Sequence, residues 1–431
     1  MKRFIAIILC VFCLAPCYAA SEITDTEIQN VIGKLISPLM VAADMSPTRT
    51  KIHIIADDSF NAFVMGGEDI YIYTGLLTRI QTPNALRAVV AHELGHTLGG
   101  HMAQMSDRMA AEMKRAMIIQ ALGVGLMVLG GTPSMGAGVV AGAGGIARQS
   151  LLSFSRDEER IADNMGVDLM VRANLNPDGF IEVFKQMNEM SEPLESRINP
   201  NSVNHPLTSE RLNNVRERLA MMNTKKMPHD NAKTISEYNM VRAKLVGYLD
   251  SPERVKALYP SSDKSDAAIY ARAIANMQNK NLSGALVGTK TLIARNPKNP
   301  YFYELLGDIE YKYGHFDDSV TAYEYALKQT SSAPQIESAL ALVLKERNKP
   351  GDKARALELC KHSLLIEPEP LAYWVMAMAY GDDARADWAL AEYYMLQKQP
   401  DKAKKHARAA KSHLKPNSPE YIKANDILNN L

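Results

Sequence analysis

A short stretch of the sequence, VVAHELGHTLGGH from Val89 to His101, holds three histidines and one glutamate. In a helix, His92 and His96 lie one turn apart on the same face, where two imidazoles can bind one zinc ion. Glu93 is displaced from His92 by about 100° around the helix axis, so its carboxylate lies beside the metal without being a ligand. There it can act as a general base towards water. The pattern is H-E-x-x-H, which zinc peptidases use.

The last histidine of this stretch does not fit the longer motif H-E-x-x-H-x-x-G-x-x-H, in which a third histidine completes the ligand set. Gly99 matches the glycine of that motif, but the position of its final histidine is occupied by Met102. Five residues beyond His96 on a helix, His101 points about 140° away from the ligand face. We therefore interpret His101 as a structural or surface histidine.

A catalytic zinc ion needs a third protein ligand and an open fourth position. The stretch SFSRDEERIADNMGVDLMVRA begins a new helical run after a glycine-rich segment, and Glu159 and Asp163 lie one turn apart in it. One such carboxylate can bind the metal while the other accepts a hydrogen bond from a ligand histidine and fixes its tautomer. Glu158 is the alternative ligand, but Ala162 rather than a carboxylate follows it one turn later. Taken alone, the same residues also fit an ordinary charged helix face.

The two motifs together resemble the M48 family of zinc metallopeptidases. The family's second motif, S-R-x-x-E-x-x-A-D-x-x-G, fits the stretch SRDEERIADNMG at Ser155, Arg156, Glu159, Ala162, Asp163 and Gly166. Downstream, NHPLTSERLNNV is similar to the family's H-P-x-x-x-x-R element. The resemblance implies that Glu159 is the third zinc ligand and Asp163 its helper, and that His205 and Arg211 lie at the active site.

The segment before the zinc helix, NAFVMGGEDIYIYTGLL, is similar to the corresponding segment of the same family. The residues predicted to bind substrate belong to it, namely Asn61, Ala62, Phe63, Gly66 and Gly67. Within and before this segment, KIHIIAD and DIYIYTG alternate like half-buried strands, with Gly66 and Gly67 marking the turn between them. The free edge of such a small sheet can bind an extended peptide by strand addition, although a purely structural hairpin also fits. A protein or peptide substrate is favoured over a small molecule.

His205 lies in NPNSVNHPLTSERL, a loop before a helix that Thr208 or Ser209 can cap. A lone loop histidine is usually a surface residue, so its assignment to the site depends on the resemblance. Near a zinc ion it has two possible roles. As a hydrogen-bond donor it can stabilise an oxyanion, with Arg211 adding positive charge. As a neutral acceptor it can occupy the fourth position of the metal and hold the enzyme inactive until substrate intrudes, which is the role we favour.

Residues 1–20, MKRFIAIILCVFCLAPCYAA, have the features of a secretory signal peptide. Lys2 and Arg3 precede an apolar run too short to span a bilayer, and small residues follow as in an A-x-A-like cleavage site. Three of the four cysteines lie in this segment, so the mature chain keeps only Cys360 and forms no internal disulfide. We expect a periplasmic location, with association to the outer membrane as a further expectation.

The segment between the two metal-site helices, residues 116–147, is apolar and broken by Gly130, Gly131 and Pro133. It fits a buried helical hairpin with glycine-mediated packing. It also fits a surface that faces the membrane or gates substrate. Each half is too short to span a bilayer comfortably, so a two-pass insertion is the least favoured interpretation.

The chain changes character after the H-P-x-x-x-x-R element. Residues 226–235 are polar and broken by proline, and are predicted to be a linker between a metallopeptidase domain at 21–225 and a helical domain at 236–431. Small residues recur before an aligned second helix at Ala285, Ser319, Ala356 and Ala403. The first interval is 34 residues, the period of tetratricopeptide repeats, and later intervals lengthen to 37 and 47. YFYELLGDIEYKYGHFDDSVTAYEYALKQ is the clearest unit.

These features predict a mainly α protein. Its first part is an α+β zincin-like metallopeptidase domain with a small β-sheet, and its second part is an all-α tetratricopeptide-repeat solenoid whose concave surface holds peptides or partner proteins. A net charge of +1 gives no basic field, so nucleic acid is not an expected partner. The resemblance implies an endopeptidase with one zinc ion per chain, acting in envelope quality control on outer-membrane proteins and their assembly machinery. The alternative is a chaperone or assembly scaffold in which proteolysis is minor or regulated.

Overall fold

The computed structural model describes residues 22–65, 68–101, 156–191, 205, 209–222, 224–330 and 332–431. Several sequence predictions lie outside these ranges: the signal peptide at 1–20, the apolar segment 116–147, Gly66 and Gly67 of the substrate-binding set, and Ser155 of the second motif.

The first part of the chain contains a four-stranded sheet with the strand order β1-β2-β4-β3. Its strands are β1 (Glu22–Ile23), β2 (Ile52–Ile55), β3 (Ala62–Met65) and β4 (Asp69–Tyr73). β2 runs parallel to β4, whereas β1 and β3 pair antiparallel with their neighbours. Ile54, Ile70 and Ile72 are fully buried on one face, as expected for strands whose side chains alternate between core and surface.

The sheet differs from the two-strand arrangement predicted from KIHIIAD and DIYIYTG. Those stretches form β2 and β4 but are parallel neighbours, so no turn joins them directly. The chain reaches β4 by way of β3, a strand of four residues that the sequence pattern did not separate from its surroundings. Within the described residues β3 pairs only with β4, so its other side is an edge of the sheet.

Six helices accompany the sheet among the described residues. They are α1 (Thr26–Ala42), α2 (Thr74–Arg79), α3 (Pro83–Leu98), α4 (Arg156–Arg172), α5 (Gly179–Ser191) and α6 (Ser209–Met221). One hydrophobic core joins them to the sheet, with fully buried Ile36 from α1 and Leu94 from α3 packed in the same cluster as the strand isoleucines. The side-chain hydroxyl of Thr82 caps α3 and Pro83 begins it, as Thr-Pro predicts for a helix start.

The second part of the chain is helical throughout its described residues. Its helices are α7 (Ala232–Leu249), α8 (Pro252–Leu258), α9 (Asp266–Gln278), α10 (Leu282–Arg295), α11 (Pro300–Tyr313), α12 (Phe316–Lys328), α13 (Pro334–Arg347), α14 (Asp352–Ile366), α15 (Pro370–Tyr380), α16 (Ala384–Leu396), α17 (Pro400–His413) and α18 (Pro419–Asn430). Successive helices pack on each other in pairs, which is how a solenoid buries its core.

The repeat pattern read from the sequence corresponds to these pairs. Ala285, Ser319, Ala356 and Ala403 are all fully buried near the start of a second helix, in α10, α12, α14 and α17. In the clearest unit a Cβ on Gly307 would lie 2.8 Å from the ring of Tyr323, so glycine is required for that ring to pack against α11. The longest interval contains the additional helix α15, which accounts for the irregular period.

The predicted linker 226–235 includes the first residues of α7, which belongs to both parts of the protein. Tyr238 and Leu245 join the core of the first part, whereas Met240 and Val246 join the core of the following helices. Such a shared helix connects the two parts more firmly than a polar linker would.

A buried ionic cluster strengthens the same connection, and we call it the Lys244 cluster. The ammonium of Lys244 in α7 lies 2.7 Å from Asp25, 3.3 Å from Glu27 and 3.1 Å from Glu304 of α11. The hydroxyl of Tyr270 in α9 donates to Glu27 over 2.9 Å. The start of α1 is therefore held against three helices of the second part.

The predicted fold class is confirmed: the protein is mainly α, with a small sheet in its first part and a helical solenoid in its second. None of the helices in the described part of the chain is both long and apolar enough to cross a bilayer.

Candidate metal centre

Two glycines allow α3 and α4 to approach closely, and this contact positions the site. A Cβ on Gly95 would lie 2.5 Å from the carbonyl oxygen of Ala162, and one on Gly166 would lie 3.0 Å from the backbone of Ala91. The first distance is shorter than a methyl group tolerates and the second is at the limit, so glycine at both positions lets the two helices pack backbone to backbone. Gly95 is part of HELGH and Gly166 ends the second motif. The residues that let the two helices pack together therefore belong to the same two motifs as the potential ligands.

Four potential ligand atoms meet where these helices cross. Nε2 of His96 lies 3.1 Å from Nε2 of His92. The two carboxylate oxygens of Glu159 lie 3.4 Å from these nitrogens, one from each histidine. Nδ1 of His205 completes the group at 3.4 Å from Nε2 of His92 and 2.8 Å from Oε1 of Glu159. All four atoms lie within 4.8 Å of one another, so together they can hold a metal ion. Glu158, the alternative carboxylate, is not in the group.

The carboxylate of Asp163 connects one of these histidines to a cation. Its Oδ1 lies 2.9 Å from Nδ1 of His92, on the side of the ring away from the cluster. Arg211 of α6 donates to both oxygens of Asp163, over 2.9 and 2.8 Å. A third guanidinium nitrogen of Arg211 lies 2.7 Å from Oε2 of Glu159. Arg211 therefore holds the carboxylates of both Asp163 and Glu159, a position that the sequence did not predict for it.

Burial and these contacts set the protonation of the site. Burial acts to raise the pKa of Glu159, but hydrogen bonds from His205, His92 and His96 hold it far below its usual range. Burial lowers the pKa of His96 to about 3, so this imidazole is neutral at neutral pH. For His92 burial also acts downwards, yet hydrogen bonds with Asp163 and Glu159 outweigh it and raise the pKa to about 9. The site thus offers an ionised carboxylate and one neutral imidazole directly, while His92 must first release a proton.

Glu93 lies beside the four ligand atoms and is not one of them. Its Oε1 is 3.5 Å from Nε2 of His205, and its side chain is almost fully buried. Burial raises the pKa of its carboxyl above the ordinary value. A carboxylate with a raised pKa next to a metal centre is suited to accepting a proton.

A cavity of about 320 Å³ opens on Glu93 and His92. Asn61 and Ala62 of the predicted substrate-binding set line it, whereas Phe63 does not. The ring of Phe63 stacks instead on Tyr71 of the neighbouring strand, with ring centres 4.7 Å apart. Sequence reasoning missed the apolar wall opposite, which consists of α5 residues spaced as one face of a helix: Phe180, Val183, Phe184 and Met187. Their i, i+3, i+4, i+7 spacing was the available signal.

The structure decides between the two interpretations of His101 and corrects the predicted direction of its side chain. The helix that carries HELGH ends at Leu98, and Gly100 has φ +68°, in the left-handed region. A helical projection therefore fails beyond Leu98, and the chain turns the ring of His101 back towards the site. His101 is 2 % exposed, and its Nδ1 lies 2.9 Å from Nδ1 of His96. It is a buried histidine in contact with the metal cluster, not a surface residue.

Comparison with known proteins identifies the class. Residues 22–219 match Peptidase family M48, and this range contains both glycine-packed motifs and all four potential ligands. The protein is therefore a metallopeptidase, and its first part is similar to Peptidase family M48 over residues 22–219.

Among its relatives is the beta-barrel assembly-enhancing protease of Yersinia pestis, 22% identical over 382 residues, which cover 86% of this chain and 76% of the relative. The metalloprotease LoiP of Escherichia coli is 27% identical over 208 residues, or 48% of this chain and 74% of the relative. Among solved structures, a thermophilic TPR protein of Thermus thermophilus aligns with a TM-score of 0.24 at 18% identity, over 44% of this chain and 91% of that chain.

Proposed function

We infer that this protein is a periplasmic zinc endopeptidase that acts in envelope protein quality control, degrading outer-membrane proteins or helping to assemble them. The observation that carries the inference is the meeting of His92, His96, Glu159 and His205 beside Glu93. These four residues can bind a metal ion, and Glu93 can act as a general base without being a ligand. Metal-assisted peptide hydrolysis requires both.

The donor set and its spacing fit zinc. Zinc forms bonds of about 2.0–2.2 Å to histidine nitrogen and carboxylate oxygen in tetrahedral sites, so neighbouring ligand atoms lie about 3.3–3.6 Å apart. The distances that join His92 to His96, Glu159 and His205, and His96 to Glu159, are 3.1 to 3.4 Å, close to this spacing. Nδ1 of His205 lies nearer to Oε1 of Glu159, at the hydrogen-bond distance of 2.8 Å. A mixed nitrogen and oxygen set with two or three imidazoles is typical of catalytic zinc and unlike the all-oxygen sets of magnesium or calcium.

The side chains divide the chemistry between them. A bound zinc ion would supply a Lewis acid at this point. His92, His96 and Glu159 would hold it, and Asp163 would keep the ring of His92 oriented. Glu93 would take the proton of the attacking water and pass it to the departing amine. Its raised pKa brings it closer to the operating pH, which favours both transfers.

The contacts of His205 support a self-inhibited resting state. Its Nδ1 is within 3.4 Å of His92 and 2.8 Å of Glu159, so it lies where a fourth ligand would lie. Arg211, the other group considered for oxyanion stabilisation, has its guanidinium directed at Asp163 and Glu159. We therefore assign His205 the role of a displaceable fourth ligand that excludes water until substrate enters.

The cavity favours an extended peptide substrate. Ala62 lies on the edge strand β3 and also lines the cavity, so a peptide added to that edge would pass the metal centre. The apolar wall of α5 offers a place for a bulky apolar side chain next to the scissile bond. Unfolded outer-membrane proteins present alternating apolar side chains in extended segments, which suits both features.

Location and clients rest on other parts of the chain. The signal peptide predicted at 1–20 favours the periplasm. The relative named beta-barrel assembly-enhancing protease makes outer-membrane proteins and their assembly machinery the favoured clients. We assign client selection to the repeat helices, and peripheral membrane contact to residues 116–147.

The substitution Glu93→Gln tests the proposed activity. We expect the purified variant to keep one zinc ion per chain, measured by elemental analysis, and to lose casein cleavage, because only the general base is removed. Cleavage at the wild-type rate would show that the mechanism is wrong. Exposed Glu253 provides a matched control, since Glu253→Gln should leave both readouts unchanged.

The same variant separates the main alternative, a chaperone or scaffold with minor proteolysis. If Glu93→Gln restores envelope function to a deletion strain, the scaffold function is favoured. Residues from about 236 onward should be dispensable for zinc binding but required for activity on the natural client. A truncated chain that still complements the deletion would rule out client selection by the repeats.

A further inference from the structure

The two histidines that would bind the metal from α3 have unlike partners on their outer sides. Nδ1 of His92 lies 2.9 Å from a carboxylate oxygen of Asp163. His96 directs Nδ1 at another imidazole nitrogen, Nδ1 of His101, also 2.9 Å away. Neither motif predicts the second contact, because His101 lies outside both.

The geometry fixes the roles of the two nitrogens in the His96–His101 contact. Nε2 of His96 faces the cluster, 3.1 Å from Nε2 of His92 and 3.4 Å from Oε1 of Glu159. An imidazole that gives its Nε2 lone pair to a metal carries its proton on Nδ1. Nδ1 of His96 is then the donor, and Nδ1 of His101 must accept with its lone pair.

The fold holds His101 in this position. Gly100 has φ +68°, a backbone conformation that residues other than glycine rarely adopt. It reverses the chain directly after α3. The ring of His101 is packed over Gly99, where a Cβ would lie 2.6 Å from Nε2 of the ring. His101 and His96 are 2 % and 1 % exposed, so bulk water does not compete for the hydrogen bond.

We propose that His101 is a positioning residue of the metal centre, which accepts a hydrogen bond from Nδ1 of His96 and so fixes the tautomer and ring orientation of that ligand. A carboxylate that accepts a hydrogen bond from a ligand histidine raises the basicity of that ligand more than a neutral acceptor does. His96, whose acceptor is an imidazole, would therefore donate less electron density to a bound metal ion than His92. The inference rests on the proposed zinc site but not on the identity of any substrate.

Two nearly isosteric substitutions test the acceptor. In His101→Asn the amide oxygen replaces Nδ1 and can still accept, whereas His101→Leu has the same branching without an acceptor. We expect His101→Leu to bind zinc about 10- to 100-fold more weakly than wild type and His101→Asn to remain within about threefold, measured by chelator competition at one pH. The visible spectrum of the cobalt-substituted protein should change for leucine and not for asparagine. His362→Leu in α14 is the matched control and should bind zinc like wild type.

Equal zinc affinity in the leucine variant and wild type would overturn the proposal. Equal losses in both variants, with a lower melting temperature of the metal-free protein, would also overturn it, because the role would then be structural. If neither variant folds, NMR spectra of the wild-type protein labelled with ¹⁵N-histidine test the hydrogen bond directly. A scalar coupling between the two Nδ1 atoms supports the hydrogen bond. A proton on Nδ1 of His101 in place of Nδ1 of His96 would reverse its direction and overturn the proposal. If wild type itself binds no metal, the proposed function fails, which is a separate result.

Discussion

The backbone of Ala162 lies so close to Gly95 that a Cβ on the glycine would be 2.5 Å from the carbonyl oxygen. This contact sets the distance between the helix that carries His92 and His96 and the helix that carries Glu159. The geometry of the candidate metal centre thus depends on a packing residue that supplies no ligand atom itself, so the addition of one methyl group at Gly95 should change the site.

Gly95→Ala should impair metal binding before it unfolds the protein. The added methyl must push α4 away from α3, an overpacking that costs about 1–3 kcal/mol, and it moves Glu159 away from the histidines. We expect a lower melting temperature and a zinc affinity at least tenfold weaker, which is about 1.4 kcal/mol. Gly33→Ala in α1 is the control, because its Cβ would meet only Ile52 at 3.7 Å and alanine favours a helix. If Gly95→Ala binds zinc with wild-type affinity, the contact between α3 and α4 at Gly95 does not set the geometry of the site.

Zinc binding should depend on pH through His92. Its pKa of about 9 means that a proton occupies the ring at neutral pH and must leave before the nitrogen can bind a metal. The apparent affinity should therefore rise about tenfold per pH unit between pH 6 and 8, and level off above pH 9. Calorimetry in buffers of different ionisation enthalpy should report about one proton released per zinc ion. An affinity that does not change over this range would contradict the prediction.

The folding stability of the protein should also depend on pH, through Glu304 of the Lys244 cluster. In this case the stability falls as pH rises. Burial raises its pKa to about 8, while the nearby ammonium of Lys244 acts in the opposite direction. The folded protein therefore binds a proton there that the unfolded chain releases near pH 4.5. The stability from this group is complete below pH 4.5 and is lost as pH rises through about 8, by up to about 1.4 kcal/mol per unit.

The variant Glu304→Gln should remove that dependence, because glutamine imitates the protonated carboxyl and can still accept from Lys244. Its melting temperature should equal that of wild type at pH 5 and exceed it at pH 8. Glu253→Gln, an exposed change in α8, should follow wild type at both values. Parallel pH profiles for wild type and Glu304→Gln would show that the carboxyl does not carry the proton.

Local periodicity explains which parts of the molecule the sequence could predict. His92 and His96 share a face because the helical repeat puts them there, and Glu159 and Asp163 follow the same rule on α4. His101 escaped this reasoning because α3 ends at Leu98 and a glycine turn replaces the helix.

Contacts between distant segments were not predictable in the same way. Lys244 resembles a surface lysine of a repeat helix, and only its packing against Asp25, more than two hundred residues earlier, reveals that it is buried. Strand β3 has the sequence AFVM, four apolar residues in succession, so no alternation of apolar and polar residues marks it as a half-buried strand. Helix α5 lines the cavity through side chains that also suit an ordinary core.

His205 offers the most direct test of regulation. Nδ1 of His205 lies 2.8 Å from Glu159 and 3.4 Å from His92, so its ring is at the position proposed for the displaceable fourth ligand. Removing the ring in His205→Ala opens that position, so we expect faster cleavage of casein and of short unstructured peptides, with less discrimination between them. Zinc content should remain at one ion per chain, because three ligands are retained.

An oxyanion donor at this position would give the opposite result, a loss of about 100- to 1000-fold in turnover at unchanged zinc content. His229→Ala is the matched control, since His229 lies in the loop before α7 with Asn176 at 3.4 Å and contacts no ligand of the cluster. Initial rates for wild type and both variants, measured at equal zinc loading, separate the two roles. If His205→Ala cleaves at the wild-type rate, the ring of His205 neither blocks the metal centre nor assists the reaction.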